Sequence, residues 1–365
     1  MSRTLISKNF EQSLPFQKLK EATCQNGSKT SLKGLVGSSL SFVIAKLFKE
    51  SETPFLLVFN DKEEAAFFLN DLEMLVSNKD VMFYPGSYRR PYQIEETENA
   101  NVLLRAEVLN RINSRKKPAL IVTYPDALFE KVVTRKELER NTLKIQIGDK
   151  ISIDFVNEML FEYNFKRVDF VTEPGEFSVR GGIVDVFSFS HNEPYRMEFF
   201  GDEVDSMRTF DVETQLSIVQ VKKIGIIPNV ANKFLEEKRQ SFLRYIPQKT
   251  VIFIKNKELT FSRINSFYDK AEVTFENLNT DISHTKPNEL FCDALLLKTQ
   301  LELFNVIDYG ANVTLLDDIS SSEIVFNTSP QPAFNKQFNL LIDNLKLNHQ
   351  KGYCNFICCI SEQQA

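Results

Sequence analysis

Short apolar runs alternate with amphipathic stretches in the first third of the chain, and this alternation constrains the fold more than any other feature. The runs 55–59, 81–84 and 120–123 are typical of buried strands, whereas 63–76 and 99–111 have the periodicity of helices. Parallel strands need long crossover connections, which are usually helices. The pattern therefore predicts an α/β protein with a parallel sheet and covering helices.

The pattern changes after about residue 141, where closely spaced strands replace the alternation. A predicted helix at 154–163 is followed by strand-like runs at 177–180, 183–189, 195–200 and 204–210. Glycine-containing turns separate these runs, as in the hairpins of small antiparallel sheets. We therefore expect a second, smaller α+β domain with an antiparallel sheet.

From about residue 215 the chain is predicted to return to the first sheet. Strand runs at 219–227, 251–254 and 323–327 are separated by lysine-rich helical stretches such as 232–245. The antiparallel domain would then be inserted between two segments of the parallel-sheet domain.

Composition favours a soluble globular protein. Hydrophobic residues make up 42% of the 365 residues, charged residues 25%, and the net charge is −5. This net charge argues against general coating of nucleic acid, although a local basic surface stays compatible with it. Because no apolar run approaches the ~18 residues of a membrane span and the first residues do not form a signal peptide, we expect a cytoplasmic protein without membrane contact.

The cysteines and histidines form neither a disulfide framework nor a metal-ligand spacing. Five cysteines and three scattered histidines are present, and Cys358 and Cys359 fall in the run 355–360, which suits a buried strand after a helix at 335–347. We expect reduced cysteines that act as small hydrophobic side chains, and no metal or other cofactor.

Residues 34–41, GLVGSSLS, have the frame of a phosphate-binding loop without its chemistry. In the working pattern G-x-x-x-x-G-K-[ST], the second glycine lets the backbone curl around the phosphates and the lysine neutralises them. Gly34 and Ser41 fit the pattern, but Ser39 replaces the glycine and Leu40 replaces the lysine. Gly34 and Gly37 are also compatible with an ordinary strand-to-helix turn. On either interpretation, nucleotide hydrolysis at this loop is not expected.

The run Tyr195–Phe200 has one apolar and one mixed face. Strand alternation places Arg196, Glu198 and Phe200 on the same face. Arg180 and Arg208 lie on neighbouring predicted strands, and arginine beside an exposed aromatic residue is typical of protein interfaces. An ordinary solvated sheet face is the alternative. Glu198 has no partner at a spacing that suits acid–base chemistry, so no catalytic residue is predicted.

Two short basic runs could contact phosphates. These are Arg89-Arg90 and the run Arg115, Lys116 and Lys117. Such runs are more typical of exposed loops that aid solubility.

Four segments carry a resemblance to a known family. They are FYPGSYRRPYQIEETENANVLLRAEVLNRI (83–112), ALIVTYPDALFEKVV (119–133), EPGEFSVRGGIVDVFSFSHNEPYRMEFFGDEVDSMRTFD (173–211) and the end of the third region. The chain resembles the N-terminal region of the bacterial transcription-repair coupling factors (Mfd), whose first domains are similar to the excision-repair protein UvrB. The third segment is the most specific, because it matches the sequence pattern of the family at about twenty positions.

The resemblance implies a helicase-like (P-loop-type) parallel-sheet domain in two segments with domain 2 inserted. Its expected divisions are domain 1a at 1–130, domain 2 at 131–213, domain 1b at 214–330, and the start of a truncated third domain at 331–365. In this family domain 2 binds UvrA. At matching positions the UvrA-binding residues would be Arg180, Arg196 and Phe200; Glu198 matches an acid of the UvrB version, and Arg208 on the adjacent run completes the predicted set.

These implications predict a non-catalytic recruitment module for nucleotide excision repair at RNA polymerase stalled by DNA damage. The longer parent would supply RNA polymerase binding, an ATP-driven DNA translocase, and a C-terminal domain that masks domain 2. Arg180 and Arg196 are expected to offer planar forks to carboxylates of UvrA, and Arg196→Glu to abolish binding without loss of the fold. Two alternatives stay open: a translocase or helicase module with a noncanonical nucleotide site, and a DNA-binding scaffold that uses the basic runs.

Overall fold

The computed structural model describes residues 11–25, 27–77, 80–87, 99–114, 117–140, 142–189, 191, 193–227, 238–278, 285–310 and 321–357. Arg89, Arg90, Arg115 and Lys116 of the basic runs, as well as Cys358 and Cys359, lie outside these residues.

The strands fall into one large and several small groups. In chain order they are β1 (Lys29–Lys33), β2 (Phe55–Val58), β3 (Val81–Tyr84), β4 (Leu120–Thr123), β5 (Val132–Val133), β6 (Leu143–Gln146), β7 (Lys166–Arg167), β8 (Glu176–Arg180), β9 (Ile183–Val186), β10 (Tyr195–Phe200), β11 (Glu203–Phe210), β12 (Ser217–Gln220), β13 (Lys223–Ile226), β14 (Arg239–Gln240), β15 (Val251–Lys255), β16 (Asn305–Tyr309) and β17 (Ser321–Val325).

Helices connect most of the strands of the large sheet. In chain order the described helices are α1 (Leu14–Cys24), α2 (Ser39–Glu50), α3 (Lys62–Leu75), α4 (Asn99–Ser114), α5 (Pro125–Phe129), α6 (Arg135–Arg140), α7 (Ile153–Glu162), α8 (Phe242–Tyr245), α9 (Lys257–Glu276), α10 (Pro287–Leu290), α11 (Ala294–Leu301) and α12 (Phe338–Gln350).

The large sheet has seven parallel strands in the order β17-β1-β16-β15-β2-β4-β3. Strands from the first and last thirds of the chain therefore pair with each other, and the smaller sheet is formed by the residues between them. This confirms the predicted class: an α/β protein with a parallel sheet and a separate, mostly antiparallel one.

Both faces of the parallel sheet are buried, which explains the continuous apolar runs in the sequence. Phe55 and Leu57 of β2 belong to one hydrophobic cluster, Leu56 and Val58 belong to another, and all four are at most 1% exposed. Because successive side chains of a strand point to opposite faces, a strand covered on both sides needs apolar residues at every position.

The smaller sheet has six strands in the order β12-β11-β10-β9-β8-β7. Neighbouring strands are antiparallel except β7 and β8. Val156 and Leu160 of α7 belong to the core beneath one face, together with Val102 and Ala106 of α4. The Ser152 hydroxyl accepts a hydrogen bond from Phe155 N, so a capped amphipathic helix packs on this sheet. The other face carries the candidate site.

Two sequence predictions near the end of the inserted region are wrong. Residues 238–245 of the predicted helix 232–245 form the two-residue strand β14 and the single-turn helix α8, while 228–237 lie outside the described residues. The predicted strand 219–227 is interrupted between β12 and β13. Strand pairing overrides helical periodicity at β14, which pairs with β5. Residues 219–227 do not return to the parallel sheet, because β12 pairs with β11 and β13 pairs with β6.

The C-terminal part also differs from its prediction. Residues 355–357 do not form the expected strand, and Phe356 and Ile357 are exposed. The helix α12 forms close to the predicted range, yet none of its side chains is buried. Among the described residues, no helix combines the length and hydrophobicity needed to cross a membrane.

Candidate protein-docking face

The face of the smaller sheet that points away from its core carries a connected set of polar side chains. Tyr195 and Met197 of β10 are buried in the core, as strand alternation predicts, so Arg196 and Glu198 point the other way. We refer to this surface as the arginine face and define it by Ser178, Arg180, Ile183, Asp185, Arg196, Glu198, Phe200, Ser206 and Arg208.

Asp185 lies at the centre of the arginine face. In the register of the sheet it is opposite Arg196 on one neighbouring strand and Ser178 on the other. Its carboxylate is 1% exposed and accepts two hydrogen bonds from Arg196, Nε to Oδ1 at 2.7 Å and Nη2 to Oδ2 at 2.9 Å. Arg180 Nη2 donates to Oδ2 at 2.5 Å. A buried carboxylate thus holds two guanidinium groups in fixed positions.

The fork of Arg196 is directed into the protein. Besides its two bonds to Asp185, Arg196 donates from Nη1 to the Gln215 carbonyl at 3.2 Å, and its guanidinium lies 4.4 Å from the centre of the Phe210 ring. The side chain is only 14% exposed. In the chain alone this fork is occupied by a carboxylate of the chain itself, and its contact with a partner stays a prediction.

Arg180 is more accessible than Arg196. Its side chain is 40% exposed and stacks 5.1 Å from the ring centre of Phe170, which is also exposed. Phe170 and Asp185 are not among the site residues predicted from the sequence. Asp185 could have been found, since it is the aspartate of the R-G-x-x-x-D spacing and strand alternation places its side chain on the other sheet face from Val184 and Val186. Phe170 lies in a loop and has no comparable sequence signal.

Glu198 and Arg208 form a second ion pair on this face. The Arg208 guanidinium donates to Glu198 Oε1, and Ser206 Oγ donates to Oε2 at 2.6 Å. These bonds, the one from Arg208 first, lower the pKa of Glu198 to about 2. A carboxyl group with this pKa stays ionised at neutral pH and is unsuited to donate a proton.

Phe200 ends β10 as an isolated aromatic side chain. It is 84% exposed and directly precedes Gly201, whose φ of 62° forms the turn to β11. Removing so large an apolar ring from water is favourable, yet nothing in the described chain covers it. The arginine face therefore combines an exposed aromatic side chain with preorganised charges, a combination typical of interface hot spots.

The Gly34 loop (residues 34–41) is closed by contacts with the end of β17. Gly34 has a φ of 80°, and a Cβ atom at this position would collide with the Phe326 carbonyl. Val36 N donates to Thr328 Oγ1 at 3.1 Å, and Thr328 N donates to the Gly34 carbonyl at 3.2 Å. Backbone N–H groups of the loop, including those of Val36 and Ser39, are thus already used within the chain.

The predicted serines and Leu40 of this loop face the core or bond within the chain, whereas Gly37 adjoins open space. Leu40 is 4% exposed, Ser41 is buried and donates from Oγ to Asp71 Oδ2 at 3.2 Å, and Ser39 Oγ donates to the Val36 carbonyl at 2.7 Å. Gly37, with a φ of 56°, has open space around its Cα.

The cavity beside the loop, about 620 Å³, is lined mainly by apolar groups. Lys255 lies on its wall, but its ammonium group is paired with Glu64. These surroundings offer little compensation for the negative charge of a triphosphate.

The part of the chain that forms the arginine face is similar to a known domain family. Residues 143–232, which contain the arginine face, match the family described as the UvrB interaction domain. The chain is thus an α/β protein whose residues 143–232 are similar to this domain family.

The chain is also similar to transcription-repair-coupling factors. The chain is 29% identical over 298 residues to that of Bacillus subtilis (strain 168), covering 79% of this chain and 24% of the relative. It is 30% identical over 224 residues to that of Staphylococcus aureus (strain USA300), covering 61% and 19%, and 26% identical over 212 residues to that of Escherichia coli (strain K12), covering 58% and 18%. These matches support an N-terminal region of a transcription-repair-coupling factor, as the sequence motifs predicted, and the chain spans about a quarter or less of these relatives.

Proposed function

We propose that the chain is a non-catalytic recruitment module that binds UvrA through the arginine face and so brings nucleotide excision repair to RNA polymerase stalled at DNA damage. Its parallel-sheet segments correspond to domains 1a and 1b, and the inserted sheet corresponds to domain 2. The observation that carries the proposal is the exposed Phe200 on the same sheet face as the ion pairs of Asp185, within the residues that match the UvrB interaction domain.

The residues of the arginine face would have different roles in docking. Phe200 would enter an apolar pocket of UvrA, and the accessible edge of Arg180 would meet a carboxylate there. Arg196 and Asp185 would hold Arg180 in place from below. Glu198 and Arg208 would present a fixed pair of opposite charges at the rim, where they favour the correct orientation more than affinity.

The absence of hydrolytic activity is part of the same proposal. Support comes from Leu40 in the lysine position, and from the use of Val36 N by Thr328. Calorimetric titration with magnesium and ATP is expected to show no saturable binding. Saturable binding that is lost in Ser41→Ala would favour the translocase alternative.

Phe200→Ala is the sharpest test of UvrA docking. Because Phe200 makes no core contact, the variant should fold normally, whereas Arg196→Glu would place a second carboxylate beside buried Asp185 and damage the fold. Loss of a central aromatic hot spot costs about 2 kcal/mol or more, so affinity for purified UvrA should fall by roughly 30-fold.

The matched control is Phe67→Ala, which removes another exposed phenylalanine, on α3 of the parallel-sheet domain. Binding by surface-immobilised UvrA should be unchanged in this variant. If wild-type chain binds UvrA and Phe200→Ala binds equally well, the docking face is misassigned; if the wild-type chain fails to bind, the recruitment function itself is wrong.

A further inference from the structure

A second cavity, unrelated to the arginine face, lies at the amino-terminal edge of the parallel sheet. Its volume is about 700 Å³, and Pro54, Ala119 and Thr250 line it just before β2, β4 and β15 begin. Ile112 and Ile246 contribute to an apolar floor. The volume falls within the range of about 300–1,000 Å³ that small-molecule sites occupy.

Four cationic side chains surround this apolar floor. Within the described part of the chain, Arg111, Lys117, Arg135 and Lys249 line the cavity together with one carboxylate residue, Glu52. The chain as a whole has a net charge of −5, so this local excess of positive charge runs against its composition. Several like charges around a concave apolar surface raise the local potential and attract an anion.

The two arginines are held in place by other parts of the chain. Arg111 Nη2 donates to Asp80 Oδ1 at 2.8 Å, an ion pair that offsets one of the four positive charges. Arg135 Nη2 donates to the Tyr245 carbonyl at 2.6 Å, and its guanidinium lies 5.2 Å from the ring centre of the same tyrosine. Their positions at the wall are thus fixed without a ligand, which reduces the entropy that a ligand must overcome on binding.

We propose that this cavity binds a small organic anion with an apolar body, such as an aromatic carboxylate or sulfonate. The cations would hold the acidic group and the isoleucine floor would cover the apolar part. Nucleic acid fits the cavity less well, because a phosphate backbone places no apolar surface against the floor. The proposal goes beyond UvrA docking and is independent of it.

A matched pair of dyes tests the proposal: 1-anilinonaphthalene-8-sulfonate and N-phenyl-1-naphthylamine, which share their ring system and differ in the sulfonate. Fluorescence titration of the wild-type chain should show one site for the sulfonate dye, and at least tenfold weaker binding of the neutral dye. The double variant Lys117→Glu and Lys249→Glu should lose about tenfold or more in affinity for the sulfonate dye.

The control variant is Lys49→Glu with Lys298→Glu, which changes the net charge equally at exposed lysines that do not line the cavity. It should bind the sulfonate dye like the wild type, and thermal unfolding should show that both variants are folded. Equal binding of the two dyes, or equal losses in the two double variants, would overturn the proposal. Displacement of the dye by a duplex oligonucleotide would also overturn it and assign the cavity to nucleic acid.

Discussion

Asp185 determines the geometry of the arginine face although it is itself buried. A carboxylate with 1% exposure would be costly alone, but here it lies between the guanidinium groups of Arg180 and Arg196. Its charge allows two arginines, one from each strand that flanks β9, to bind the same carboxylate. The Asp185 carboxylate therefore contributes mainly to the stability of the folded chain, and contributes to docking only by holding the two arginines.

Asp185→Asn should destabilise the chain by about 3 kcal/mol, because it leaves Arg196 largely buried without a counter-charge. Urea denaturation would measure this loss. Asp205→Asn, which changes an exposed aspartate on β11 of the same sheet, is the control and should stay within about 0.5 kcal/mol of wild type. Equal midpoints for the two variants would contradict a central role of Asp185.

Glu198 should give the inserted sheet a measurable dependence on acid pH. Its pKa is about 2 in the folded chain and near 4.5 without its partners, so the folded state favours the ionised form. The stabilisation is then complete above about pH 4.5 and is lost as the pH falls towards 2. Because the side chain is a third exposed, we expect no more than about 1 kcal/mol.

Melting temperatures of the wild type and Glu198→Gln between pH 7 and 2.5 test this. The advantage of the wild type should be constant above pH 5 and shrink below pH 4.5. A difference between wild type and Glu198→Gln that is constant over the whole range would show that the ion pair has no energetic effect.

At the scale of elements, the segment between β1 and α2 shows how a loop frame can persist while its ligand chemistry is replaced. Gly34 allows the close approach of the Phe326 carbonyl, and Thr328 bonds to the loop on both sides of this contact. In the structure, the glycine that matches the phosphate-loop pattern is thus needed to pack the loop against the end of β17. The interpretation of Gly34 as part of an ordinary strand-to-helix turn therefore has a physical basis.

Two substitutions separate packing from backbone conformation in this loop. Gly34→Ala meets both a positive φ and the Phe326 carbonyl, whereas Gly37→Ala meets a positive φ in open space. We expect a loss of about 1 kcal/mol for Gly37→Ala, from left-handed backbone strain alone, and a clearly larger loss for Gly34→Ala. Urea denaturation of both variants provides the comparison, and similar losses would show that the contact with Phe326 is unimportant.

For the whole molecule, α4 connects the parallel-sheet domain with the inserted sheet. Val108 and Leu109 are buried in a cluster of the parallel sheet. Val102 and Ala106, nearer the amino-terminal end of the same helix, are buried in the core of the smaller sheet. A helix that contributes to two cores couples their stabilities, since it cannot unfold at one end without loosening the other.

Val102→Ala and Val108→Ala should therefore lower one common unfolding transition. Both side chains are fully buried, and each truncation should cost about 2 kcal/mol. Differential scanning calorimetry should show a single peak in the wild type that moves down by a similar amount in each variant. Two peaks, each shifted by only one of the substitutions, would show that the two sheets unfold independently.

Much of the local structure could be predicted from the sequence. The strands Val81–Tyr84, Leu120–Thr123 and Tyr195–Phe200 have the predicted ends, since polar or turn-forming residues lie within two positions of each end. The strand β16 was overlooked, although its five residues are buried between β1 and β15. Its sequence, NVIDY, contains two polar residues, and only long-range pairing makes it a central strand.

The sequence by itself determined which segments are apolar enough to form the two sheets, and which side of β10 carries Arg196, Glu198 and Phe200, because these follow from local periodicity. The tertiary structure alone decided that the fork of Arg196 turns inward to Asp185, that Thr328 closes the Gly34 loop, and that four cations meet at the far edge of the parallel sheet. Each of these depends on the spatial arrangement of different strands and helices. Such contacts leave no pattern in the neighbouring residues.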